Sequence, residues 1–177
     1  MLGRYKSWQG LKKWLEDALC DELKGRVHYF LTRYVRVHNA YGRAAIELDG
    51  NMQVCFTWDR GYKQEADENR MYAAGMGEYD EILEKLKPEW DAACVYSEGD
   101  FLAAALEFRN LSIREALNSE NYIVRVLAIL DRRVGRRTLR AISDARDYEN
   151  APDWVRQFYR LRIETSLKDG GAGKASF

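Results

Sequence analysis

GRAAIELDGNMQVCF, residues 42–56, decides the fold. Asp49-Gly50-Asn51 is a turn signal, and the residues on either side alternate apolar and polar with the period of a strand. If these three residues form the loop, with Asn51 in the left-handed conformation, Leu48 faces Met52, Ile46 faces Val54 and Ala44 faces Phe56. All three apolar pairs then share one face, which a slip of one residue would turn to solvent. The preceding stretch RVHYFLTRYVRV, residues 26–37, alternates as well. Val27, Tyr29, Leu31, Val35 and Val37 lie on one side, with Arg26, His28, Phe30, Thr32, Tyr34 and Arg36 on the other. A loop at residues 38–41 sets Val35 opposite Ala44 and Leu31 opposite Leu48. The reading is a three-stranded antiparallel meander whose single apolar face must be covered by helices.

Helical periodicity fills the rest. Trp8, Leu11, Leu15, Ala18, Leu19 and Leu23 keep one face of a first helix, opened by Ser7 and closed by Lys24-Gly25. Residues 58–74 are charged and weakly periodic, and Gly75-Met76-Gly77 ends them. Tyr79, Ile82, Leu83, Leu86, Trp90, Ala93 and Cys94 hold one phase across Pro88, as a kinked helix or two abutting ones would. Two capping boxes, at residues 97–100 and 112–115, start short helices. Ser119 or Glu120 opens another with the stripe Ile123, Val126, Leu127, Leu130 and Val134. Leu139 and Ile142 point away from that stripe, so the chain must break near Gly135. Pro152 begins the last helix.

The expected fold is therefore α+β: an N-terminal helix, the meander, and a helical C-terminal two-thirds. One domain covers 1–168 (1–57 the helix and meander, 58–168 the helical part), with a mobile tail at 169–177.

At 177 residues with 46% hydrophobic and 32% charged side chains, the chain has the composition of a globular domain with a real core. No apolar run reaches the roughly 18 residues of a membrane span, and no secretory leader is recognisable at the start, so a cytoplasmic location follows. Cys20, Cys55 and Cys94 are far apart with no CxxC, and read as buried thiols in a reducing compartment. The net charge is zero but unevenly spread: +3 over residues 1–57, −7 over 58–110 and +4 over 111–177.

Chemistry-bearing patterns are few. Gly173-Lys174 lacks the glycine at 168 and the serine or threonine at 175 of a phosphate-binding loop, having Lys168 and Ala175 there. His28 and His38 bring no further ligands for a metal and no orienting partner for a base. Glu47 and Asp49 alternate on one strand face without a partner to complete a hydrolytic set. No catalytic residue, cofactor or metal is expected. Two surfaces compete as binding sites. On the polar face of the meander, the register above puts Arg36 opposite Arg43 and Tyr34 opposite Ala45, with Arg26 and His28 extending a mixed cationic and aromatic surface. Acidic side chains from residues 58–110 are expected to cover it. The second is VRVLAILDRRVGRRTLR, residues 124–140, where Arg132, Arg133, Arg136, Arg137 and Arg140 follow an apolar helix. Clustered guanidiniums suit phosphate or carboxylate groups. They equally suit an internal network with the acidic middle, and at least two of Arg132, Arg133, Arg136 and Arg137 are expected to form hydrogen-bonded ion pairs with acids of the same chain.

Residues 8–34, 42–50, 95–108 and 112–139, and more weakly 153–164, resemble an uncharacterised family of small bacterial proteins of unknown function. They cover about half the chain in the same order. That resemblance implies no activity, cofactor or catalytic residue. NYIVRVLAIL, residues 121–130, is similar to the second helix of a HEAT-type repeat, although no period of about 40 residues recurs. The functional expectation is a non-catalytic bacterial protein that binds another macromolecule, foremost a protein. Nucleic-acid binding through the arginine surfaces is the alternative, and an enzyme with an unrecognised site the third reading.

Overall fold

The computed structural model describes residues 8–33 and 42–168. Ser7, the 38–41 loop with His38, Tyr34, Val35, Arg36 and Val37, and the 169–177 tail lie outside them. The order is helix α1 (Trp8–Ala18), strands β1 (Val27–Arg33), β2 (Gly42–Leu48) and β3 (Asn51–Thr57), and then helices to the end of the described chain. These are α2 (Trp58–Ala73), α3 (Tyr79–Ala93), α4 (Glu98–Asn110), α5 (Ile113–Leu117), α6 (Tyr122–Leu130), α7 (Arg136–Ala145) and α8 (Asp153–Lys168). The α+β reading holds.

The sheet runs β1-β2-β3 and is antiparallel throughout. Ala44 faces Phe56 and Ile46 faces Val54, as the apolar pattern requires. Nearer the turn the expected pairing gives way. The loop is Asp49-Gly50 alone, both at positive φ (51° and 79°), whereas Asn51 opens β3. This two-residue turn pairs Leu48 with Asn51 and Glu47 with Met52, and a bulge between Ile46 and Glu47 restores the apolar register. Gly50 suits its position because a left-handed backbone costs a residue without a side chain little.

Between β1 and β2 the expected register is off by four: Leu31 faces Ala44, Tyr29 faces Ile46 and Val27 faces Leu48. The apolar face survives because a shift by an even number of residues keeps every side chain on its own side. Arg43 consequently faces Thr32, and not Arg36.

Phe101 of α4 meets that face, its ring centre 5.0 Å from that of Phe56 and 6.5 Å from that of Tyr29. Fully buried Ala104 and Ala105 let α4 lie close to the body. Helix α6 is the centre of the helical part, with seven of its nine residues buried, and it packs on α4, α5 and α8. Asn121, rather than Ser119 or Glu120, caps it by accepting the Ile123 and Val124 N–H groups. Both capping boxes form, and α3 runs unbroken through Pro88. The first helix ends at Ala18, earlier than its periodicity extends. Its next backbone groups turn to the segment after α6: Cys20 N–H donates to the Leu130 carbonyl at 3.0 Å and Arg132 N–H to that of Ala18 at 2.9 Å.

Helices α2 and α3 form a hairpin with a small core of its own, Ile82, Leu86, Trp90 and Val95. Buried Asp67 latches it by accepting from Trp90 Nε1 (3.1 Å), Lys63 Nζ (2.6 Å) and Arg70 (3.1 Å). The hairpin is tied to the body where Trp154 Nε1 of α8 donates to the Asp91 carbonyl at 2.7 Å. Cys20 is buried, while Cys55 and Cys94 are only partly so, and all three are free thiols.

A candidate binding groove around Arg125

The two surfaces read from the sequence fare differently. Arg26 is committed to the hairpin turn, its guanidinium gripping Asp49 at 3.0 and 2.8 Å; those hydrogen bonds hold the Asp49 carboxyl below the usual range. His28 is exposed and lies opposite Glu47, with its Nε2 3.2 Å from the Gly25 carbonyl. Arg43 lies over the Phe30 ring at 5.6 Å and donates to two sulfurs, Cys55 Sγ at 3.2 Å and Met52 Sδ at 3.1 Å. Among the described residues no carboxylate from 58–110 pairs with Arg26, His28 or Arg43. The expected acidic cover is absent there. Tyr34 and Arg36 lie outside the described residues.

Among the described residues the arginines at 132–140 form no network with the acidic middle. Of the five, Arg133 alone has a carboxylate partner among the described residues, Asp131, two residues away. Its Nε and Nη2 each lie 3.0 Å from the Asp131 oxygens, its backbone N–H donates to Oδ1 at 2.7 Å, and its guanidinium sits over Phe108 at 5.4 Å. Arg132, Arg136, Arg137 and Arg140 are exposed without an ion pair among the described residues. The physical reason is directional for two of them: Arg137 and Arg140 lie roughly 160° and 100° around α7 from its one buried residue, Leu139, while Arg136, nearer that face, stands at the exposed first position of the helix. This helix packs on α8, whereas the sheet packs on α1 and α4, so the two cationic surfaces belong to different parts of the fold.

The structure brings together a site that the sequence reading missed. A cleft of about 920 Å³ separates the α2–α3 hairpin from the body, with Glu84, Lys87 and Asp91 on one wall and Tyr122, Arg125 and Arg156 on the other. Beside it a groove of about 470 Å³ lies between α5 and α7. Ile113, Leu117, Ala141, Ile142 and Ala145 supply its apolar surface, and Arg114, Asp147, Tyr148 and Tyr159 also line it. Asn118 and Arg125 line both hollows, so the two adjoin at these residues and together span a depression from α3 to α7.

Arg125 is the single charged residue of α6. Its guanidinium carbon lies 5.2 Å from the centre of the Tyr122 ring and 5.8 Å from that of Tyr159, and its Nε donates to the Tyr159 hydroxyl at 3.4 Å. Tyr159 is buried and stacked on Tyr148, centres 5.3 Å apart with planes 10° from parallel. Ring faces attract a cation by their quadrupole, so this stack holds the half-buried guanidinium without neutralising it. No carboxylate lies within 4.0 Å of Arg125 among the described residues. Arg156, further along the cleft, differs: it pairs with Asp153 and donates to the Glu149 carbonyl at 2.9 Å. The one sequence signal for Arg125 is a lone charge inside the apolar run YIVRVLAIL; Tyr159 is 34 residues away.

Among the described residues no group of three or more histidine, cysteine, aspartate or glutamate side chains is placed to hold a metal ion. The model of the SF0329 protein family matches residues 7–163, which takes in nearly all of the stretches quoted above. No curated protein and no solved structure matches.

Proposed function

For this chain, which belongs to the SF0329 protein family, we propose a non-catalytic role in the bacterial cytoplasm: it binds another protein by taking a segment of it into the depression between α3 and α7. The observation that carries this reading is that the apolar groove adjoins the polar cleft at Arg125 and Asn118, which line both. An apolar wall next to a few placed polar groups is how peptide-binding grooves combine affinity with orientation. A cytoplasmic site of action agrees with the described helices, none of which is long and apolar enough to cross a membrane. The test is photo-crosslinking in the native host, with a photoreactive side chain at Leu117 or Ile142 and, as control, at exposed Tyr79. Crosslinks to one polypeptide from the groove positions, lost when Ala145→Glu fills the groove, support the reading. Crosslinks from Tyr79 alone, or none, refute it.

A second reading, nucleic-acid binding, is favoured by Arg132, Arg136, Arg137 and Arg140 having no carboxylate partner among the described residues. Each phosphate neutralised steepens the fall of affinity with salt. Mixed-sequence oligonucleotides that bind with such a slope, reduced by Arg136→Gln and Arg137→Gln, would support it; binding indifferent to both substitutions would not.

A further inference from the structure

Resting on the protein-docking reading, we propose that Arg125 is the recognition residue of the depression and that the docked segment is acidic and amphipathic, bringing one carboxylate to this guanidinium. Three observations converge. Arg125 is oriented by Tyr122, Tyr159 and, behind Tyr159, Tyr148. Only its Nε has a hydrogen-bond acceptor among the described residues, which leaves the two terminal nitrogens for a ligand. A half-buried cation gains most from a partner that completes its hydrogen bonds, and the planar fork of arginine fits the two oxygens of a carboxylate.

The surroundings select the ligand. The groove carries Arg114 and Arg125 against one acid, Asp147, beside the apolar surface of Ile113, Leu117 and Ile142. Apolar side chains flanking an acid therefore match it in both shape and charge. Four carboxylates, Glu84, Asp91, Glu120 and Asp153, line the adjoining cleft. Against them the cleft sets Lys87, Arg125 and Arg156, which leaves it without the cationic excess a polyanion such as a nucleic acid needs, while a single carboxylate can reach Arg125 from the groove side.

The experiment is selection of random 16-residue peptides, displayed on phage, against the full chain, followed by titration of the enriched peptides. Enriched peptides are expected to carry an aspartate or glutamate flanked by leucine, isoleucine or phenylalanine. Converting that acid to its amide should weaken binding at least tenfold on the native chain and less than twofold on Arg125→Gln; Arg125→Lys, which keeps the charge but not the fork, should fall between. The acid-to-amide change on the native chain needs no folded variant. If enriched peptides lack the acid, or if its loss costs as much on Arg125→Gln as on the native chain, Arg125 is not the recognition residue even though the groove binds. If no peptide is enriched, or Ala145→Glu leaves binding unchanged, the docking reading falls with it.

Discussion

Removing Arg133 should cost more than removing any other arginine of the 132–140 run, because of what it leaves behind. Asp131 is 2% exposed while the Arg133 side chain is 45% exposed. In Arg133→Met the carboxylate stays buried and keeps only the Arg133 backbone N–H among the three donors that Arg133 supplies. Breaking a buried pair from one side costs about 3 to 5 kcal/mol, and the half-exposed guanidinium already shares its charge with solvent, so the expected loss is about 2 to 3 kcal/mol. Asp131→Asn keeps an acceptor for the backbone N–H and loses only the charge assistance, at about 1 to 2 kcal/mol. The double variant removes the stranded charge and should be no less stable than Asp131→Asn alone, a coupling of about 2 to 3 kcal/mol. Urea unfolding of the four proteins at constant m-value measures the cycle. A loss below about 0.5 kcal/mol for Arg133→Met, or strict additivity, would refute the role assigned to this pair.

Arg136→Gln, Arg137→Gln and Arg140→Gln, by contrast, should each leave the urea midpoint within about 0.5 kcal/mol of the native value, since none has an ion pair to lose among the described residues. Leu127→Ala, at the centre of α6 and 2% exposed, should cost about 2 to 5 kcal/mol in the same assay; a loss well under 1 kcal/mol would place α6 outside the core. The hydrogen bonds from Lys63 and from Trp90 hold the Asp67 carboxyl below its usual range. Its contribution is therefore complete above the unfolded value of about 4 and is lost as pH falls through the lower folded value. The stability gap between the native chain and Asp67→Asn should accordingly be equal at pH 7 and pH 5 and shrink at pH 3; a gap that widens on acidification would reverse the sign.

Period-two alternation was enough to place Ala44, Ile46, Val54 and Phe56 on one buried face, because only one parity of pairing avoids exposing them. The four-residue error between β1 and β2 was invisible to the same logic, which distinguishes odd slips from even ones. The early end of α1 was equally out of reach: its helical phase continues in the sequence, and what stops it is hydrogen bonding with residues 130–132, more than a hundred positions away. The capping boxes were legible because each closes on itself within four residues. Arg125 was hidden for the opposite reason, since its partners come from two helices far apart in sequence. The arginine run drew attention by density of charge, but density does not say which side of a helix faces its neighbours.

Amide chemical-shift mapping of the isotopically labelled full chain, titrated with the tightest peptide from the selection, tests the docking site most directly. The expected result is a continuous set of perturbed residues across 113–125 and 138–148, with the shifts at Tyr122 and Tyr159 suppressed in Arg125→Gln. Perturbations confined to the sheet at 42–57, or to the turn at 131–137, would contradict it.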